Sequence, residues 1–82
     1  MANKVFRVYA EWDPEAGVYH VSESDVPGLA AEATTTEGLL EKLRVLVPEL
    51  LRLNRNLVDF DPDGEFPISL MATRLENIRA NR

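Results

Sequence analysis

The sequence predicts a two-layer α+β domain with its elements in the order β-β-β-α-β, and three observations carry this. Residues 5–12, 18–23 and 65–73 follow strand-like patterns, clearest in the period-two alternation of 5–12 and 65–73. Leucines between 39 and 57 recur at helical steps of three and four. Turn-forming Pro, Gly and Asp residues punctuate the segments between. A chain of 82 residues has room for one hydrophobic core, so 1–82 reads as a single domain, ordered from about residue 4 to 75.

The first strand, Val5 to Trp12, puts Phe6, Val8, Ala10 and Trp12 on one side and Val5, Arg7, Tyr9 and Glu11 on the other. The Phe6 side is expected to face the core. Asp13-Pro14-Glu15-Ala16-Gly17 then supplies a proline suited to the second position of a type I turn and a glycine suited to positive φ, the mark of a hairpin. Val18 to Glu23 returns, Pro27-Gly28 fits the centre of a type II turn, and a third strand at about Leu29 to Ala33 completes an antiparallel meander.

Thr34-Thr35-Thr36-Glu37 offers a capping box, with the Thr34 hydroxyl accepting from the Glu37 amide while the Glu37 carboxylate reaches back. Behind it Leu39, Leu43, Leu46, Leu50, Leu53 and Leu57 form an apolar stripe, widened by Leu40, Val47 and Leu51. Pro48 removes one amide and crowds the Arg44 carbonyl. The preferred reading is one kinked helix to about Asn56, because Val47 is a poor cap for a second helix beginning at Pro48. The last strand, Glu65 to Thr73, alternates Phe66, Ile68, Leu70 and Ala72 toward the core. If it lies beside the first strand the two are parallel, joined by a right-handed crossover.

The formal charge of −5 is unevenly placed. Residues 1–38 hold two bases against seven acids, whereas residues 39–82 hold seven of each. An acidic surface repels phosphate backbones, so the first half favours a basic protein partner over nucleic acid. Cysteine is absent, which excludes disulfides, thiol nucleophiles and thiolate metal sites and suits a reducing cytoplasm. No stretch resembles a signal peptide or a membrane span.

Four groups of residues invite a chemical reading. Asp59-Phe60-Asp61-Pro62-Asp63-Gly64 imitates the start of a calcium loop, but the twelfth position needs a bidentate Glu and holds Leu70, so an acidic turn is the better reading and no metal is expected. His20, the sole histidine, could share a strand face with Ser22, yet nothing nearby completes a hydrolytic triad. Two-metal phosphoryl chemistry needs converging carboxylates; Glu11 and Glu41 are available, but the last strand has no acid after Glu65. Arg74, Arg79 and Arg82, diluted by Glu76, read as a solvated terminus more than as a nucleic-acid site. No catalytic residue and no cofactor are expected.

The run from Asp13 to Ser22, then Asp25-Val26-Pro27-Gly28-Leu29, then Glu32-Ala33-Thr34-Thr35, resembles the HicB-like antitoxin family, in which an acid-rich hairpin, a strand, a Pro-Gly turn and a Thr-capped helix follow in that order. Val47-Pro48-Glu49-Leu50-Leu51 and Leu53-Asn54 resemble a short subgroup of uncharacterised bacterial proteins with this domain. The likeness spans about Val5 to Asn56. It implies a partial ribonuclease H-like fold without activity, self-association as a homodimer or higher, and an acidic surface that masks a small basic toxin cleaving messenger RNA. Full-length antitoxins continue into a DNA-binding segment, whereas only Glu76 to Arg82 follows the last strand here, so DNA binding is not expected.

The expectation is therefore a non-enzymatic cytoplasmic interaction domain; the alternatives are a homo-oligomer without a toxin, paired through an exposed sheet face or strand edge, and a degenerate nuclease-like hydrolase or small-ligand module using His20, Glu11 and Glu41 around the sheet. Glu11, Asp13, Glu15, Glu23 and Asp25 are its candidate partner-binding residues. Contacts of this kind speed encounter and weaken with salt.

Overall fold

A computed structural model of the chain describes residues 4–59, 61 and 64–80. The first strand, β1, runs Phe6–Asp13, and its burial alternates as the sequence requires: Phe6, Val8 and Ala10 are buried, Arg7, Tyr9 and Glu11 exposed. At the following hairpin the Asp13 carboxylate accepts from the amides of Glu15 and Ala16 at 3.0 and 3.3 Å, and Gly17 at φ +69° returns its amide to the Asp13 carbonyl at 2.7 Å. That positive φ is where glycine is needed.

Strand β2, Val18–Ser24, pairs antiparallel with β1, but not in uninterrupted register. Tyr9 faces Glu23 while Ala10 faces Val21, so Ser22 is an extra residue, a β-bulge. The Ser22 hydroxyl donates to the Tyr9 carbonyl at 3.2 Å, replacing part of the interrupted ladder. The bulge changes which residues face the core. Tyr19 and Val21 point inward, and beyond the bulge it is Ser24, opposite Val8, that does so. Ser24 is half-buried and satisfied by Val26, accepting from its amide at 3.2 Å and donating to its carbonyl at 3.0 Å.

The expected third strand is shorter than its sequence suggests. β3 is Glu32–Ala33 alone, pairing with His20 and Tyr19. The Pro27-Gly28 turn commits the Leu29 amide to the Val26 carbonyl at 3.3 Å, with Gly28 at φ +75°, and the helix cap begins two residues after Ala33, so little chain is left for pairing. Leu29 and Ala31 still pack against the core as half-buried residues.

Helix α1 spans Thr36–Leu53 and runs unbroken through Pro48. Its cap is Thr35, not Thr34. The Thr35 hydroxyl accepts from the Gly38 amide at 2.9 Å, so glycine occupies the place where a capping box needs a carboxylate. Glu37 instead receives the Thr36 hydroxyl at 3.2 Å and complements the helix dipole from the first turn. At the other end the Leu50 carbonyl accepts from both the amide (3.0 Å) and the side chain (2.8 Å) of Asn54, which stops the helix before the expected Asn56.

The buried face of α1 also differs from the straight leucine stripe. Leu39, Leu43, Val47 and Leu51 are buried, Leu46 and Leu50 half-buried, and Leu53 and Leu57 exposed. Each step of four residues over-rotates a helix by about 40°, so the buried row winds about a third of the way round. A row of this inclination suits packing against the right-handed twist of the sheet. The straight stripe therefore leaves the sheet at its far end.

Strand β4, Ile68–Thr73, begins after Pro67, which has no amide and whose carbonyl accepts from Phe6 at 3.1 Å. It lies parallel to β1 and closes the order β3-β2-β1-β4, a four-stranded mixed sheet with α1 on one face. The predicted β-β-β-α-β order and α+β class are observed. Phe66, Ile68 and Leu70 turn toward the core, with the Phe66 ring edge-to-face on Phe6 at 5.6 Å. Ala72 remains exposed although it has the same parity, because β4 is the sheet's outer strand.

Candidate functional site

With α1 covering one face, the other carries every side chain that strand alternation sends outward. Two rows cross it. Met71, Tyr9 and Glu23 are neighbours in register, and one step along lie Thr73, Glu11, His20 and Glu32. Tyr9 is 36% and Met71 50% exposed, so an apolar centre sits among acids. Arg7 is the base on this face, at the end nearest Asp25.

The five candidate acids do not form one cluster. Glu11 and Glu23 share the open face, Glu23 directly beside Tyr9 and Glu11 in the next row, and Glu15 is exposed in the hairpin turn that follows β1. Asp13 and Asp25 hold the backbone: the first closes the hairpin, and the second accepts from the Arg7 amide at 2.9 Å while its own amide donates to the Arg7 carbonyl at 2.9 Å. Sequence reading missed Glu32. The signal was its pairing with His20, which becomes visible only when β3 is placed beside β2.

His20 is half-buried between Glu11 and Glu32 in register. Ser22 belongs to the bulge and its hydroxyl is held by Tyr9, so His20 and Ser22 do not form a nucleophile pair. Glu41 lies on α1, across the sheet from Glu11, and the two carboxylates do not converge. Among the described residues no group of three or more His, Asp and Glu side chains could hold a metal ion, and no polar side chain is buried. Of the suspected calcium loop, Phe60, Pro62 and Asp63 lie outside the described residues, as does Arg82 of the basic tail.

On the helix side a shallow groove of about 810 Å³ runs between β3 and α1, where Glu32, Glu41 and Lys42 rim an apolar floor of Val18, Ala33 and Leu46. Lys42 donates its ammonium to the Glu32 carbonyl. A second groove of about 420 Å³ lies beside β4 and is lined by Leu40, Arg44, Pro48, Glu65, Phe66 and Ile68, among others. No helix among the described residues is long and apolar enough to cross a membrane.

The chain is similar to a solved structure, the crystal structure of a hypothetical protein from the extremely thermophilic bacterium Thermus thermophilus. The two are 42% identical, the match covers 94% of this chain and 100% of that one, and the TM-score is 0.60. No curated protein matches the chain. A family model described as a domain of unknown function (DUF1902) matches residues 5–79, and the chain belongs to that family.

Proposed function

We propose that this chain is a non-enzymatic interaction domain of HicB-like antitoxin type, which masks a small basic protein with the open face of its sheet. The masked protein is of the kind that cleaves messenger RNA. The observation that carries this reading is the placement of Glu11, Glu23 and Glu32 on one uncovered face around Tyr9. Tyrosine at the centre of an acidic rim combines a large contact area with charge that steers a basic partner. Glu15 extends the acidic field at the hairpin turn. Asp13 and Asp25 contribute their charge to that field while holding the backbone.

The test is to look for a neighbouring reading frame that encodes a small basic protein and to co-purify its product with this chain, followed by titration calorimetry at two salt concentrations. Binding should weaken with salt and be lost on combining Glu11→Gln, Glu23→Gln and Glu32→Gln. Binding that survives this combination unchanged would remove the proposed surface.

A further inference from the structure

The two edges of the sheet are not alike. β3 is guarded, since it offers two residues and the ammonium of Lys42 takes the carbonyl of Glu32. β4 has none of these devices: Ile68–Thr73 contains no charge, no proline and no bulge. The Phe6 amide bonds the Pro67 carbonyl, and by alternation Ser69, Met71 and Thr73 turn their backbone groups to β1. Those of Ile68, Leu70 and Ala72 face away from the sheet. After Thr73 the chain continues as an arm, Arg74 to Ala80, without regular structure, carrying Leu75 and Ile78 at 92% and 89% exposure.

Going beyond the partner-masking role, we infer that β4 is a self-pairing edge: two copies of this chain join β4 to β4 antiparallel, and each lays its arm along the other's groove beside β4. The two-fold axis then stands perpendicular to the sheet, giving eight continuous strands with both helices on one side. An axis at Met71 bisects the stretch from Gly64 to Ile78 and gives the longest overlap. It sets the partner's Arg74 opposite Ile68, the partner's Leu75 opposite Pro67 and the partner's Ile78 opposite Gly64. That is the groove formed by Leu40, Pro48, Phe66 and Ile68. A chain's own arm leaves from the far end of a strand about 20 Å long and would have to turn back on itself to reach it. The partner's arm arrives there directly.

Charge agrees with this occupant. The groove carries Arg44 and Glu65, and the arm brings Glu76 and Arg79, so each sign has an opposite to meet, while Arg74 stays on its own chain's Trp12 ring. In this register no like charges stand opposite one another between Gly64 and Ile78. The surplus acids of the chain lie on β1, β2 and the turns beside them, away from the joint.

Sedimentation of the full chain at tens of micromolar should give about twice the 9.2 kDa of one copy. Ala72→Pro removes an amide that faces outward and leaves the ladder to β1 intact, so it should raise the dimer dissociation constant by at least about tenfold with an unchanged far-UV spectrum. Leu75→Asp combined with Ile78→Asp leaves β4 itself untouched and should do the same. A wild-type chain that stays monomeric at 100 µM, or a dimer that neither variant weakens, overturns the inference. Combining Glu11→Gln with Glu23→Gln should leave the dimer intact, which separates this joint from the acidic face.

Discussion

The Arg74 guanidinium lies 4.0 Å from the centre of the Trp12 ring, and Trp12 in turn meets Tyr19 edge-on at 4.9 Å, so the end of β4 is fastened across β1 to β2. Arg74 also pairs with Glu76 at 2.8 Å, but that contact is exposed and contributes little. Replacing Arg74 by Ala should cost about 0.5–1 kcal/mol, as expected for a solvent-accessible cation–π contact. A double-mutant cycle with Trp12→Leu, read by urea denaturation, should return a coupling of that size.

The winding of the buried row on α1 gives a contrast between leucines. Leu43→Ala opens a cavity against the sheet and should cost about 2–5 kcal/mol, a large share of the stability of so small a domain. Leu53→Ala, at a position 73% exposed, should change stability by less than about 0.5 kcal/mol. Thermal melting of the two variants distinguishes the winding row from the straight stripe.

Capping offers an equally local test. Thr35→Ala removes the acceptor of the Gly38 amide and should cost about 1 kcal/mol, whereas Thr34→Ala should be close to neutral. Denaturation midpoints of both variants, measured together, check the assignment of the cap.

Asp25 separates a structural role from an electrostatic one. Asp25→Ala leaves the Arg7 amide without its acceptor and should destabilise by about 1 kcal/mol. Asp25→Asn keeps an oxygen in place and should retain most of the stability while removing the charge. If the asparagine variant folds like the wild type but binds a basic partner more slowly, its charge acts in steering; stopped-flow association at low salt reads this directly.

Gly28→Ala should destabilise by about 1–2 kcal/mol although a methyl group there would meet nothing closer than Leu50 at 3.9 Å. The penalty comes from φ +75°, not from crowding. Urea titration of this variant beside Ala30→Gly gives the measurement with a control in the same loop.

Local pattern along the chain was enough to read the order of elements, the sign and place of the charge, and most of the core. Periodicity is a local property: Phe6, Val8 and Ala10 face inward because a pleated strand alternates, and Leu39 and Leu43 share a helix face because of its pitch. Turn chemistry is local too, so Gly17 and Gly28 could be placed before any contact was known. What depends on two segments meeting became legible only in the folded chain. The bulge at Ser22 arises from the pairing of β1 with β2, the row through Val47 and Leu51 from the twist of the sheet beneath α1, and the Glu11, His20, Glu32 alignment from β3 lying beside β2. Edge position is of the same kind: Ile68–Thr73 reads as an ordinary half-buried strand, and its outer row of amides and carbonyls is left open because β1 is already paired on its other side.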